Sequence, residues 1–157
     1  MTTKLKILYL CTGNSCRSQM AEGWTRAIKG DQVEAYSAGI EAHGLDPRAR
    51  AVMAEAGIDI SGQVSKNLET FRNITFDVVI TVCDKARETC PFFSGAKKML
   101  HVGFSDPPAM AKMLALQGAD DEAQYNCYRR VRDEIKAFVE TLPKSLETKE
   151  SPAGRAD

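Results

Sequence analysis

A cysteine, five intervening residues and an arginine, Cys11 to Arg17, lie within the stretch YLCTGNSCRSQMAEG, Tyr9 to Gly23. These residue types suit the covalent capture of a tetrahedral oxyanion. Gly13 and Asn14 can adopt left-handed backbone conformations, which lets successive peptide N–H groups turn inward as an anion cradle at the positive end of a helix. The cradle is expected from Thr12, Gly13, Asn14, Ser15, Cys16 and Arg17. Arg17 adds a planar fork of donors that matches the edge of an oxyanion. Cys11 stands where its sulfur would enter the cradle, an environment that favours the nucleophilic thiolate. Ser18 is placed to donate a hydrogen bond to that thiolate, and Asn14 to fix the shape of the loop.

Asp106, in SDPPA, offers an acid to protonate a departing oxygen, although an aspartate before proline is also an ordinary turn former. Cys83 and Cys90, in TVCDKARETCPFF, offer two more thiols or two small core residues. Cys16 and Cys127 read as packing residues. His43 and His101 read as loop and core residues, since nothing nearby in sequence pairs with them. Zinc is not expected, because the cysteines form no close CxxC pair and no His pair lies near them.

Strands alternating with helices must position these groups. Apolar runs predict strands at Lys6 to Leu10, Val33 to Ser37, Asp77 to Val82 and Met99 to Val102. Helical spacing predicts Arg17 to Lys29, Pro47 to Glu55, opened by Pro47 and closed by Gly57, and Glu122 to Leu142. Met110 to Gln124 stays open between an ordered lid and a loose loop. This alternation implies an α/β fold, a parallel sheet covered on both faces, whose ligands gather beyond the carboxyl ends of the strands. Cys11 and Cys83 both fall at such ends, on one edge of the sheet.

The chain has 157 residues, 43% of them hydrophobic, enough for one core. Residues 1–143 are expected to form that single domain, and 144–157, polar with Ser, Pro and Gly, a disordered tail. Lys plus Arg and Asp plus Glu each total 21, so no overall field draws the chain to nucleic acid or to an anionic membrane. No apolar stretch is long enough to span a membrane, and five cysteines without a secretion signal point to the cytoplasm.

The loop CTGNSCRSQMAEG, placed after a strand and before a helix, resembles the active-site loop of the low-molecular-weight tyrosine phosphatase fold, and in particular the thioredoxin-coupled arsenate reductases. The likeness continues through YSAGIEAHGLDP, GIDIS, DVVITVCD, DPPA and YRRVRDEI, covering most of residues 5 to 140. The resemblance implies a three-layer sandwich with a four-stranded parallel sheet in the order 2-1-3-4. It also implies arsenate as substrate, with phosphate or sulfate as competing oxyanions, thioredoxin as reductant, a monomer and no cofactor. By motif position Cys11 attacks arsenate, Cys83 attacks the sulfur–arsenic adduct, and Cys90 takes over the disulfide. A Cys83–Cys90 disulfide is what thioredoxin would reduce, although glutaredoxin and mycothiol remain alternative reductants.

Two alternatives stand beside this expectation. A phosphomonoesterase would use only Cys11, Arg17 and Asp106, but Pro108 follows the Asp-Pro pair where phosphatases commonly carry an aromatic residue for a phosphotyrosine ring. A non-catalytic oxyanion-binding redox sensor would use the thiols as a switch. Some reductases of the family hold potassium through positions that align with Asn14, Glu22 and Ser37 and an acid; here Lys66 stands at the acid's place, so no metal is expected. If Asp84 to Thr89 is helical, seven residues at about 1.5 Å each set the Cys83 and Cys90 Cα atoms about 10 Å apart. A disulfide tolerates at most about 7 Å, so oxidation would have to unwind the segment.

Overall fold

The computed structural model describes residues 3–89 and 93–148. Its four strands are β1 (Leu5–Cys11), β2 (Val33–Gly39), β3 (Val78–Thr81) and β4 (Met99–His101). They form one parallel sheet in the order β2-β1-β3-β4, as the resemblance implies. The six helices are α1 (Arg17–Lys29), α2 (Pro47–Glu55), α3 (Asp84–Thr89), α4 (Pro107–Leu116), α5 (Asp121–Glu140) and α6 (Lys144–Thr148). A short 3-10 turn spans Leu68–Phe71.

Burial follows from parallel pairing. Residues Ile7 to Cys11 of β1 and all of β3 are buried, as expected of central strands covered on both faces. The strand β2 alternates instead. Its Ser37 bonds Glu22 of α1, so the neighbouring Tyr36 must point to the opposite face. There Tyr36 packs edge-on against Phe71 and Phe76, with ring centroids 5.3 and 5.1 Å away. On the other face α1 and α5 lie together, and Met20, Trp24, Tyr128, Val131, Ile135 and Val139 are buried.

Three segments depart from the sequence reading. The open stretch after Asp106 is ordered: α4 starts at Pro107, capped by the Asp106 carboxylate, and α5 starts at Asp121, capped by Asp120. Lys144–Thr148, expected within the tail, are helical, and Leu146 is buried. Lys98 Nζ also donates to the Leu146 carbonyl at 2.6 Å, fastening this turn to the residue before β4. Finally, α5 ends at Glu140, two residues before the expected Leu142. Among the described residues, no helix is long and apolar enough to cross a membrane.

Candidate active site at the carboxyl edge of the sheet

Cys11 is the last residue of β1 and Arg17 the first of α1, so the loop between them turns at the carboxyl edge of the sheet. Its peptide planes are set from outside. Ile40, Glu41, His43 and Asp46 donate backbone N–H bonds of 2.8 to 3.0 Å to the carbonyls of Cys11, Thr12, Gly13 and Ser15. In a trans peptide the N–H points away from its carbonyl. With those carbonyls held outward, the N–H groups of Thr12, Gly13, Asn14 and Cys16 face the concave side, where an anion would sit.

Asn14 takes the left-handed conformation expected of it, with φ at 50°. Gly13 does not; its backbone is ordinary, and glycine is required there for space. A Cβ on Gly13 would lie 2.3 Å from Nδ1 of His43, whose ring covers the loop. Both polar atoms of the Asn14 side chain are bonded: Nδ2 donates to Ser18 Oγ at 2.8 Å, and Oδ1 accepts from the Lys66 amide at 2.8 Å and from Gln19 Nε2 at 3.0 Å. Ser18 Oγ therefore accepts from Asn14, which leaves its own hydrogen for the Cys11 sulfur, 2.9 Å away.

Arg17 lies half across the cleft, its Nη1 donating to the Phe104 carbonyl at 2.9 Å and its Nη2 3.6 Å from Asp106 Oδ2. Asp106 thus serves twice, as the cap of α4 and as an exposed carboxyl facing Arg17 and the loop. Cys11, Cys16, Arg17, Cys83, Asp106 and Pro108 all border one cleft of about 810 Å³. Cys16 is buried in the loop, and burial, reinforced by Asp46, pushes its thiol well above the usual cysteine range, as suits an inert packing residue. Cys127 lies on α5, half-buried and apart from the cleft, with its thiol toward the Ala123 carbonyl.

Cys83 is buried between β3 and α3. Its sulfur meets the Thr12 hydroxyl at 3.3 Å and accepts from the Ala86 amide at 3.4 Å. The first contact ties the sulfur to the anion loop and the second ties it to α3. Asp84–Thr89 is helical, as its composition allows. Cys90, expected to complete the set, lies outside the described residues.

The positions aligned with a cation site do not fit one. Glu22 is taken by Ser37 at 2.5 Å and by Arg26 at 2.6 Å. The Lys66 ammonium bonds the Val64 carbonyl. Burial, reinforced by Arg26 and opposed by Glu22, holds that ammonium below the ordinary lysine range. Positive charge is already built in. Among the described residues, no three His, Cys, Asp or Glu side chains are grouped to hold a metal.

Several supporting residues carry no local sequence signal. Gln19 and Gln63, 44 positions apart, bond each other at 2.7 Å, and Gln19 also reaches the Asn14 carbonyl at 3.0 Å. Asp46 accepts from Tyr128 of α5 at 2.8 Å while its amide holds Ser15. His43 and His101, expected only in loop and core, stand at the cradle and beside α3.

A buried cysteine and an arginine sharing one anion loop, at the carboxyl edge of a parallel sheet, define an α/β protein with a phosphatase-type oxyanion site. The chain matches the low molecular weight phosphotyrosine protein phosphatase family over residues 6–152 and belongs to that family. It is 48% identical to the arsenate reductase of Bacillus subtilis (strain 168), over 141 residues that cover 87% of this chain and 96% of the relative. A solved arsenate reductase in the phosphate binding state aligns with a TM-score of 0.71 at 33% identity, covering 90% of this chain and 98% of that one. A thioredoxin-dependent arsenate reductase from Corynebacterium glutamicum aligns with a TM-score of 0.65 at 26% identity, covering 95% of this chain and 65% of that one.

Proposed function

We propose that this chain reduces arsenate to arsenite through Cys11, Cys83 and Cys90, and that a thioredoxin-type dithiol restores it. The observation that carries this reading is the second buried thiol, Cys83, touching Thr12 of the loop that begins at Cys11. Hydrolysis of a phosphate monoester by Cys11, Arg17 and Asp106 includes no step that uses a second thiol.

Arsenate enters the cradle and the Cys11 thiolate forms a sulfur–arsenic bond, while one arsenate oxygen takes up protons and leaves as water. Asp106, which faces Arg17 across the cleft, is the acid assigned to supply a proton. The Cys83 thiolate then attacks the Cys11 sulfur. A disulfide forms, and the sulfur–arsenic bond breaks with its electron pair on arsenic, which falls from the pentavalent to the trivalent state as arsenite. Two sulfurs have lost the two electrons that arsenic gained. Cys90 next attacks Cys83, releasing Cys11 as thiolate and leaving a Cys83–Cys90 disulfide. An external dithiol reduces that bond by exchange and is itself oxidised.

Likeness to the relatives named above supports the substrate, and the thioredoxin dependence of the Corynebacterium protein supports the reductant. The need for free thiols favours a reducing cytoplasm. The deciding experiment is arsenate-dependent NADPH oxidation with thioredoxin and thioredoxin reductase, comparing wild type with Cys11→Ser, Cys83→Ser and Cys90→Ser. Loss of multiple turnover in all three supports the relay. The contact between Arg17 and Asp106 favours a second reading, phosphate monoester hydrolysis. A wild type silent with arsenate that hydrolyses a monoester using Cys11 alone would establish that reading instead.

A further inference from the structure

Cys83 is bracketed by two side chains that meet on a third. Thr81, at the end of β3, places Oγ1 2.8 Å from His101 Nδ1. Asp84, the first residue of α3, places Oδ1 3.2 Å from His101 Nε2. Thr81 and His101 are register partners in the sheet, so the strands themselves fix the first of these contacts. We propose that His101 is a positioning residue for Cys83: by tying Thr81 to Asp84 it holds the turn between them, and so keeps the Cys83 sulfur at the mouth of the anion loop until α3 is released. This role presupposes Cys83 as the second thiol of the relay.

The ring's protonation pattern follows from its partners. A carboxylate only accepts, so Nε2 carries hydrogen toward Asp84 and the neutral ring offers Nδ1 as an acceptor for the Thr81 hydroxyl. If the ring gains a proton, Nδ1 becomes a donor to Thr81 Oγ1, and the hydroxyl hydrogen can turn to the Leu100 carbonyl, 3.3 Å away. One threonine thus serves both charge states. The other side of the ring is closed by the chain after β4, since a Cβ on Gly103 would sit 3.0 Å from Nε2.

The held turn contains the groups the second step uses. The Ala86 amide donates to the Cys83 sulfur, and the Arg87 amide to the Cys83 carbonyl at 3.2 Å. If α3 swings away from His101, both bonds and the Thr12 contact lose their geometry together. The charged groups facing the ring are Asp84 and Arg87, both on α3. Burial and Arg87 lower the ring's proton affinity against the opposing pull of Asp84, so acid favours the opened state, in which the ring is exposed.

The test uses the reduced full-length protein with His101→Phe, which keeps an aromatic ring, His101→Gln, which keeps a donor, and Asp84→Asn. Amide exchange is followed at Ala86 and Arg87, with β1 amides as a control for folding. Arsenite release is followed with one equivalent of arsenate and no reductant, and phosphate affinity is measured separately. In His101→Phe we expect about tenfold faster exchange at Ala86 and Arg87 and about tenfold slower arsenite release, with phosphate affinity and β1 exchange unchanged and partial rescue in His101→Gln. Opening in wild type, corrected for intrinsic exchange, should rise as pH falls below 6.5, and this rise should vanish in His101→Gln. Wild-type exchange in both folded His101→Phe and Asp84→Asn would overturn the proposal, as would faster exchange with undiminished arsenite release. A wild type that releases no arsenite, yet shows the exchange difference, would leave the tie intact and overturn the reductase reading instead.

Discussion

The hydroxyl of Thr12 and the sulfur of Cys83, 71 positions apart in sequence, lie 3.3 Å from each other. Thr12 therefore belongs to two groups at once. Its backbone is part of the anion loop, and its side chain is the hydroxyl nearest the second thiol. In the proposed relay, capture of the anion and attack on the resulting adduct would be coupled through this one residue.

Thr12→Val keeps the backbone and the branched shape but removes the hydroxyl. A hydrogen bond to a charged group contributes about 1.5–3 kcal/mol, so arsenite release in a single turnover should slow roughly ten- to a hundredfold. Phosphate affinity, which depends on the backbone and Arg17, should hold. Equal losses in both quantities would show that Thr12 acts through the loop's shape alone.

Gly13→Ala should weaken phosphate binding by about 1–3 kcal/mol, the usual cost of overpacking, because the new methyl would meet the His43 ring. Adding His43→Ala should restore most of the loss, since the nearest histidine atom left would be Cβ, at 3.1 Å. Isothermal titration of the single and double variants with phosphate checks this. No recovery in the double variant would place the defect in the backbone rather than in the ring.

The site's centre was legible in the sequence because local patterns end on it. The apolar runs of β1 and β3 stop at or just before Cys11 and Cys83, and Arg17 opens a helix with clear spacing. Its supports were not legible, because they are tertiary: Gln19 with Gln63, Tyr128 with Asp46, His101 with Asp84. Two helices were missed for different reasons. PPAMAKMLAL is apolar nearly all round, with Met113 and Leu116 exposed, so no stripe marks a period. Lys144–Thr148 hangs on one apolar anchor, Leu146, inside polar surroundings.

Potassium should not accelerate turnover over sodium at equal ionic strength. Glu22 is neutralised by Arg26 and bonded by Ser37, and Lys66 adds a further ammonium nearby, so an entering cation would meet two positive charges and no free carboxylate. Steady-state rates in the two salts should agree within about a factor of two, well under the tenfold that 1.4 kcal/mol would produce. A several-fold activation specific to potassium would mean that Arg26 or Lys66 moves aside.

The pH dependence of stability carries the signature of His101. Its proton affinity in the fold lies below the ordinary 6.5, mainly through burial and then Arg87. The unfolded chain therefore binds the proton more readily than the native one. The ring's contribution to stability is fully present above pH 6.5 and is lost as pH falls through the lowered native value. Urea midpoints of wild type and His101→Gln, measured between neutral and mildly acidic pH, should diverge least at the acid end. A wild-type advantage that grows on acidification would show that the Asp84 pairing outweighs burial.

Leu146 belongs to the folded core. It is 5% exposed, packed with the core, and its carbonyl holds Lys98. Leu146→Ala should cost about 2–5 kcal/mol, as deletion of a buried leucine does. Leu116→Ala on α4, at 78% exposure, is the matched control and should stay within about 0.5 kcal/mol. Equilibrium urea unfolding of the two variants separates the cases. If both prove neutral, the domain closes before Lys144 and the last turn is only an attachment. If only Leu146→Ala destabilises, the core extends through α6, and truncation after Pro143 would remove a side chain that the sheet's lower edge depends on.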